Sequence, residues 1–209
     1  VGDALVVRRF AYRWVKRGID VVGSLACLLL LSPLLLIVAV LVKGTSPGPV
    51  FYAWDVIGRG GRPFRGYKFR TMVANADELK PQLAHLNEMS GPVFKARDDP
   101  RITPVGRWLR KYSLDELLQL WSVLKGDMSL VGPRPPGQNE WPHFEDWQRR
   151  KVSVTPGITC LWQVSGRNRI RDFDEWVRLD LEYIDHWSLW LDFKILLRTI
   201  SAVVRGTGL

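Results

Sequence analysis

The chain has 209 residues, 46% of them hydrophobic and 24% charged, with no low-complexity tract, which fits one globular unit and excludes disorder. Its two cysteines, Cys27 and Cys160, are too few and too far apart for a secreted disulfide scaffold. A net charge of +9 and ten tryptophans point to a polyanionic partner: nucleic acid, an anionic membrane surface or a phosphorylated substrate.

From Val21 to Val42 the chain runs 22 residues without a charge. As a straight helix this is roughly 33 Å, enough for a hydrocarbon core of about 30 Å. Arg8, Arg9, Arg13, Lys16 and Arg17 precede the run, and Lys43, Arg59, Arg62, Arg65, Lys68 and Arg70 follow it. Basic residues on both flanks favour a segment that enters and leaves by one face. Ser32-Pro33, in mid-run, supplies a break: proline removes a helical hydrogen bond, and a serine hydroxyl can satisfy the carbonyl that is freed. A helical hairpin and a kinked spanning helix both remain open on these residues alone.

Next come two β-prone runs, Val50 to Ile57 and Phe64 to Met72, around a glycine-rich turn at Gly58 to Gly61, which predict a hairpin. Asn75 to about Leu86 reads as a polar helix, and the proline-, glycine- and charge-rich stretch through Tyr112 as surface loop. Leu114, Leu117, Leu118, Trp121 and Leu124 then recur at helical spacing until Gly126. Ser113-x-x-Glu116 reads as a capping box at the start of that helix, which by itself accounts for both acids. The chemical alternative is that Asp115, kept ionised in a first helical turn, is a nucleophile of the aspartyl-phosphate type. Such a site needs cations for the transferring phosphoryl group, and Lys68, Arg110, Arg134 and Arg167 are available.

The C-terminal third carries two amphipathic patterns. One places Phe173, Val177, Leu181 and Ile184 on a face, and the other repeats Leu189, Phe193, Leu196, Leu197, Ile200, Val203 and Val204. Trp187 and Trp190 at the start of the second suit a helix lying at a membrane interface, with core packing the alternative. His85, His143 and His186 are isolated, no Cys-x-x-Cys or Walker A loop occurs, and no nucleic-acid module signature is present.

Six blocks in order, KRGIDVV, SPGPVFY, YKFRTM, DPRITPVGRWLRKYSLDELLQLWSVLKGDMSLVGPRP, TPGITCLWQVSGRN and LDLEYIDHWSLWLDFKILLRTI, resemble the bacterial sugar transferases. These are the monotopic polyprenyl-phosphate phosphoglycosyl transferases, and the resemblance covers nearly the whole chain from about Lys16. It implies transfer of a sugar 1-phosphate from a UDP-sugar to polyprenyl (undecaprenyl) phosphate, with release of UMP, as the first membrane step of exopolysaccharide, capsule or O-antigen assembly. Mapped residue by residue, it makes Asp115 the covalent nucleophile and Glu116 its supporting acid, both binding Mg²⁺ with the substrate phosphates. It places Pro133, Arg134 and Pro135 near the nucleotide and Arg167 on phosphate, with Lys68, Arg110 and Asp192 as further polar site positions.

The same resemblance implies an α/β, mainly helical, monotopic fold on the cytoplasmic face of a bacterial inner membrane. Residues 1–43 would be a basic segment and a re-entrant helix broken at Ser32-Pro33, and 44–209 a cytoplasmic catalytic domain with interfacial helices. An anionic membrane surface is an expected partner, nucleic acid is not, and a homo-oligomer stays open. Leu118 stands where the family often has proline, Cys160 where glycine is common, and Trp54 and Val56 where many members carry glutamine and arginine. The block around Cys160 looks most like members using UDP-glucose or UDP-galactose. A start at Val1 leaves a longer parent protein open. The rival reading is a basic, membrane-anchored scaffold or binding protein in which Asp115 and Glu116 only begin a helix.

Overall fold

A 44-residue helix, α1 (Gly2–Thr45), carries the apolar run and is the one helix among the described residues long and apolar enough to cross a membrane. The structure, a computed structural model, describes residues 2–208 apart from position 168, with side chains from Tyr12 onward, so the side chains of Arg8 and Arg9 in the basic flank lie outside the description. α1 is helical on both sides of Ser32-Pro33, the position of the predicted break. Pro33 has no N–H to offer the Leu29 carbonyl, and Ser32 Oγ donates to that carbonyl at 2.8 Å instead.

Both ends of α1 are packed and its middle is not. Val38 and Val42 are buried with Phe69 and Leu109. At the other end Arg17 donates to the Val123 and Leu124 carbonyls, and Asp20 accepts from Leu130 N–H at 3.0 Å. Between these ends Leu25, Leu29, Leu30, Leu36 and Ile37 are exposed.

The predicted hairpin forms from β1 (Phe51–Ile57) and β2 (Pro63–Phe69), antiparallel, with Tyr52 opposite Lys68 and Trp54 opposite Gly66. The predicted helix over 75–86 is shorter: α2 (Ala76–Leu79) gives way to 3₁₀ turns over Lys80–Leu86, where Pro81 cannot donate the next helical bond. The stretch read as loop contains α3 (Pro104–Lys111). Thr103 Oγ1 accepts from Gly106 N–H at 3.0 Å and Pro104 fills the first turn, so this proline starts a helix. A Cβ on Gly106 would lie 2.0 Å from the Thr71 carbonyl oxygen, so this glycine allows α3 to meet the chain leaving β2.

α4 (Gln119–Lys125) ends at Gly126, whose φ of 95° is left-handed. β3 (Ser129–Val131) pairs in parallel with β4 (Gly157–Thr159); the short α5 (Asp146–Arg149) lies between them in sequence and α6 (Leu161–Val164) follows. α7 (Phe173–Asp185) buries Phe173, Trp176 and Val177 against Phe144 and Trp162, with the Trp162 and Trp176 rings stacked 4.2 Å apart.

α8 (Leu189–Arg205) buries Asp192 and Ile195, while Trp190, Phe193, Leu197, Ile200 and Val204 form an exposed stripe at helical spacing. The predicted stripe divides accordingly, since Leu196 packs inward against the cluster of Val131, Leu161, Tyr183 and Ile195.

Asp192 was expected at the site; the structure puts it where α1 meets α8. Its carboxylate accepts from Lys16 Nζ at 2.6 Å, Tyr183 Oη at 2.7 Å and Trp187 Nε1 at 3.3 Å, none of which belongs to the acid pair's surroundings. Lys16 also donates to the Val131 carbonyl at 3.0 Å. Breaking a largely buried pair leaves an uncompensated charge, at a cost of about 3 kcal/mol. Asp192→Ala is therefore expected to lower the thermal unfolding midpoint in detergent, and a Lys16→Met, Asp192→Leu double variant to recover most of the loss. A melt of Asp192→Ala indistinguishable from the parent's would refute this account of the junction.

Candidate active site

The capping box is absent. Ser113 has φ 53° and ψ 25°, the one non-glycine residue among those described in the left-handed region, and makes no cap hydrogen bond. Its Oγ instead accepts from Arg167 Nη1 at 3.0 Å. Leu114–Glu116 is a 3₁₀ turn, and α4 begins only at Gln119, so Asp115 does not sit in a first α-helical turn as expected. The left-handed turn after α3 carries both acids inward, where Asp115 is 8% and Glu116 7% exposed. Non-glycine backbone of this kind is costly and concentrates where function requires it.

The two acids differ sharply in their neighbours. Glu116 Oε1 accepts from Lys68 Nζ at 2.8 Å and has Arg134 Nη1 at 3.5 Å. Asp115 accepts no hydrogen bond and joins no ion pair among the described residues, although Lys68, Arg110 and Arg167 act on it at longer range. Burial raises both carboxyls, but Lys68, Arg134 and Arg167 outweigh it for Glu116 and hold that acid well below the usual range. Asp115 is pushed above its ordinary value by burial and then by the charge of Glu116, against the pull of Lys68, Arg110 and Arg167. Adjacent carboxyls driven apart in this way mark an acid–base or nucleophilic site more often than a structural one.

Each cation comes from a different element. Lys68 is on β2, two register positions from Trp54, whose ring centre lies 4.2 Å from its Nζ. Arg110 is in the last turn of α3 and is held by a 2.9 Å hydrogen bond from Nε to Thr71 Oγ1. Arg134 lies in a segment pinned on both sides. Upstream, Gly157 N–H donates to the Pro133 carbonyl at 3.0 Å; downstream, Ile57 N–H donates to Pro136 and Gln138 N–H to Asp55. Gly132 and Gly157 allow this approach, since a Cβ on Gly157 would stand 2.0 Å from Gly132 N. Pro133 and Pro135 are buried and shape this segment. The structure thus brings together Asp115, Glu116, Lys68, Arg110, Arg134 and Arg167, and leaves out Asp192.

Trp54 and Lys95 are additions to that set. Trp54, noted in the sequence only as a departure, lies under both cations that hold Glu116, with the Arg134 guanidinium 5.7 Å from its ring centre. A side chain at Gly66 would collide with its indole nitrogen at 2.4 Å. Lys95 donates to the Arg167 carbonyl at 3.1 Å, and burial followed by the charges of Arg167 and Arg134 brings it down to about 8. It was hidden in the stretch read as surface loop; its repeated pairing of positive charge with proline and glycine was the only available signal.

The donor set suits magnesium. The Asp115 carboxylate and Oε2 of Glu116 accept no hydrogen bond from the described residues, which add no cluster of three or more acidic, histidine or cysteine ligands. A hard cation of this kind takes one or two carboxylates and completes its shell with substrate phosphates.

Residues 11–206 match the family model described as "Bacterial sugar transferase". Galactosyl transferase CpsE of Streptococcus agalactiae is 46% identical over 96% of this chain and 44% of that protein. Undecaprenyl-phosphate galactose phosphotransferase of Salmonella typhimurium is 44% identical over 94% of this chain and 42% of that protein. Exopolysaccharide production protein ExoY of Rhizobium meliloti is 40% identical over 92% of this chain and 87% of that protein. The chain spans less than half the length of the first two of these relatives. With the match running almost from end to end and the acid pair of the resembling blocks buried among four cations, the chain belongs to the bacterial sugar transferase family.

Proposed function

We propose that this protein is a phosphoglycosyl transferase that moves a sugar 1-phosphate from a UDP-hexose to polyprenyl phosphate through an aspartyl-phosphosugar intermediate. The observation that carries this reading is the unpartnered, buried carboxylate of Asp115 beside a Glu116 that is fully engaged with Lys68 and Arg134. Asp115 Oδ attacks the β-phosphorus of the donor; the bond from that phosphorus to the bridging oxygen breaks, and UMP leaves with the electron pair. A polyprenyl phosphate oxygen then attacks the same phosphorus, the aspartyl bond breaks, and Asp115 returns as a free carboxylate.

Lys68, Arg110, Arg134 and Arg167 surround the place where the transferring phosphoryl group spreads its charge, and they are fixed before substrate arrives. Asp115 and Glu116 would hold magnesium, which when bound supplies further neutralisation of the phosphate oxygens. Galactose and glucose donors are supported by relatives so named: the Salmonella protein and the undecaprenyl-phosphate glucose phosphotransferase of Komagataeibacter xylinus, 40% identical over 89% of this chain. The scaffold reading loses its support here, because the capping box that would have explained the acids does not form.

We further place the chain on the cytoplasmic face of a bacterial inner membrane, with α1 entering and leaving by that face. Both packed ends of α1 meet one body while its middle is bare, and Trp14, Trp108, Trp121 and Trp190 are exposed alongside the α8 stripe. Tryptophan in this setting favours the headgroup level. A water-soluble nucleotide and a lipid phosphate can meet only there.

The covalent step is checked by incubating purified protein with radiolabelled UDP-galactose or UDP-glucose and Mg²⁺ in the absence of lipid, followed by denaturation and intact-mass analysis. The parent protein is expected to gain one phosphohexose and Asp115→Asn none, with UMP release reduced at least about 10³-fold. Lipid-linked product without any adduct would remove Asp115 as nucleophile.

The pH profile of UMP release tests the electrostatics. Attack requires ionised Asp115, so the rate falls as pH drops through its raised pKa, which lies above the ordinary 3.8. Glu116→Gln removes the neighbouring negative charge and frees Lys68 and Arg134 to stabilise Asp115. Its acidic limb should therefore move to lower pH while the maximal rate falls. An unmoved limb would show that the two carboxyls are not coupled.

A further inference from the structure

A cavity of about 600 Å³ is lined by three segments distant in sequence that contribute two cations each, and by residues 206–208 after α8. Lys95 and Arg97 come from the loop before α3, Arg107 and Lys111 from one face of α3 a turn apart, and Arg169 and Arg171 from the chain after α6. Against these six stand two carboxylates, Glu88 and Asp98. Glu88 is already engaged, with Arg171 Nη2 at 3.1 Å and the backbone N–H of Arg97 at 2.8 Å.

We propose that this basin binds the phosphates of the nucleotide donor, holding the nucleoside side of the diphosphate while its β-phosphorus faces Asp115. The proposal rests on the transferase reading above and names where that substrate's leaving half sits.

Three observations support it. First, convergence of this kind is unfavourable in an empty protein: like charges one helical turn apart, as at Arg107 and Lys111, repel, and the excess charge is concentrated on one concave wall. A solvated basic face would spread such residues over a convex surface. A bound polyanion removes the cost, and phosphate oxygens suit arginine forks.

Second, two hydrogen bonds link the basin to the segment that carries Asp115. Lys95 lines it and donates to the Arg167 carbonyl at 3.1 Å, while Arg167 Nη1 donates to Ser113 Oγ at 3.0 Å, two residues before Asp115. Crowding of Lys95 by Arg167, Arg134 and Arg171, after burial, is what brings it down to about 8, so an anion here restores its full charge.

Third, the lining favours the donor over the lipid acceptor. Its large apolar members, Met89 and Ile170, are core residues, each 7% exposed, so no apolar track leads a prenyl chain into it. The volume falls in the range of roughly 300–1,000 Å³ typical of small-molecule sites.

The test uses the full chain in detergent or nanodiscs and an Arg107→Gln, Arg169→Gln double variant, neither residue belonging to the cluster around Asp115. Three quantities are measured: KM for UDP-galactose in UMP release, KM for undecaprenyl phosphate, and the dissociation constant of UDP by equilibrium dialysis at fixed ionic strength. The donor KM and the UDP constant are expected to rise at least tenfold, with lipid KM and kcat within about twofold. Arg107→Lys, Arg169→Lys, which keeps the charge, should recover much of the affinity, separating electrostatic binding from damage to the fold. A rise confined to the lipid KM would assign the basin to the acceptor phosphate and overturn the proposal. Unchanged UDP binding would overturn it as well. Because dialysis requires no turnover, an inactive parent protein would count against the transferase reading while UDP affinity still decides the basin.

Discussion

The arrangement of this protein turns on one electrostatic asymmetry: two adjacent buried carboxylates share four cations, and one acid takes the direct contacts. Glu116 is neutralised at close range by Lys68 and approached by Arg134; Asp115 is left desolvated and unpaired. A salt-bridged aspartate would be a poor nucleophile because its lone pairs are engaged. A solvated one would be stabilised by water that must be stripped before attack. Asp115 meets neither condition, and the cost of its isolation is reduced, though not cancelled, by Lys68, Arg110 and Arg167 acting through space.

Holding that asymmetry demands rigidity from elements that are individually slight. Most are a few residues long, and the two small sheets have two strands each, too little to be stable alone. They hold because they are cross-tied at the site. The segment around Arg134 is fixed upstream by β4 and downstream by β1, so the parallel pair and the hairpin are joined through it. Glycines at 66, 106, 132 and 157 allow the close approaches, of indole to strand, helix to chain and chain to chain. At each of them the collision that a Cβ would make is with a part that positions the acids or their cations.

What was legible in the sequence follows from the range of the interactions involved. The apolar run, the hairpin and the amphipathic α8 are local patterns of one period, and all appear where the residues predict them. The first turn of α3 was concealed because proline and glycine have two meanings, loop breaker or N1 residue and point of close contact, and only the tertiary neighbour Thr71 distinguishes them. The capping box failed for a similar reason. Ser113 is drawn into the left-handed region with its hydroxyl taken by Arg167, 54 residues away, an interaction no local spacing encodes. Asp192 matched a family position yet serves the junction with α1, since which of several buried acids meet is set by the packing of helices and not by their motifs.

The two polar clusters are nonetheless connected. Lys16, near the end of α1 that precedes the apolar run, pairs with Asp192 and donates to the carbonyl of Val131, the last residue of β3. Three positions further along the chain is Arg134, which faces Glu116. The long apolar helix is thus tied by one lysine to the strand that leads into Arg134, and its far end packs on Phe69, the neighbour of Lys68 on β2. Both cations that engage Glu116 therefore lie within a few residues of a contact with α1. Packing that helix and fixing the charge asymmetry at Asp115 draw on the same contacts, which gives a physical reason for the proposed transferase to carry its long apolar helix as part of its core.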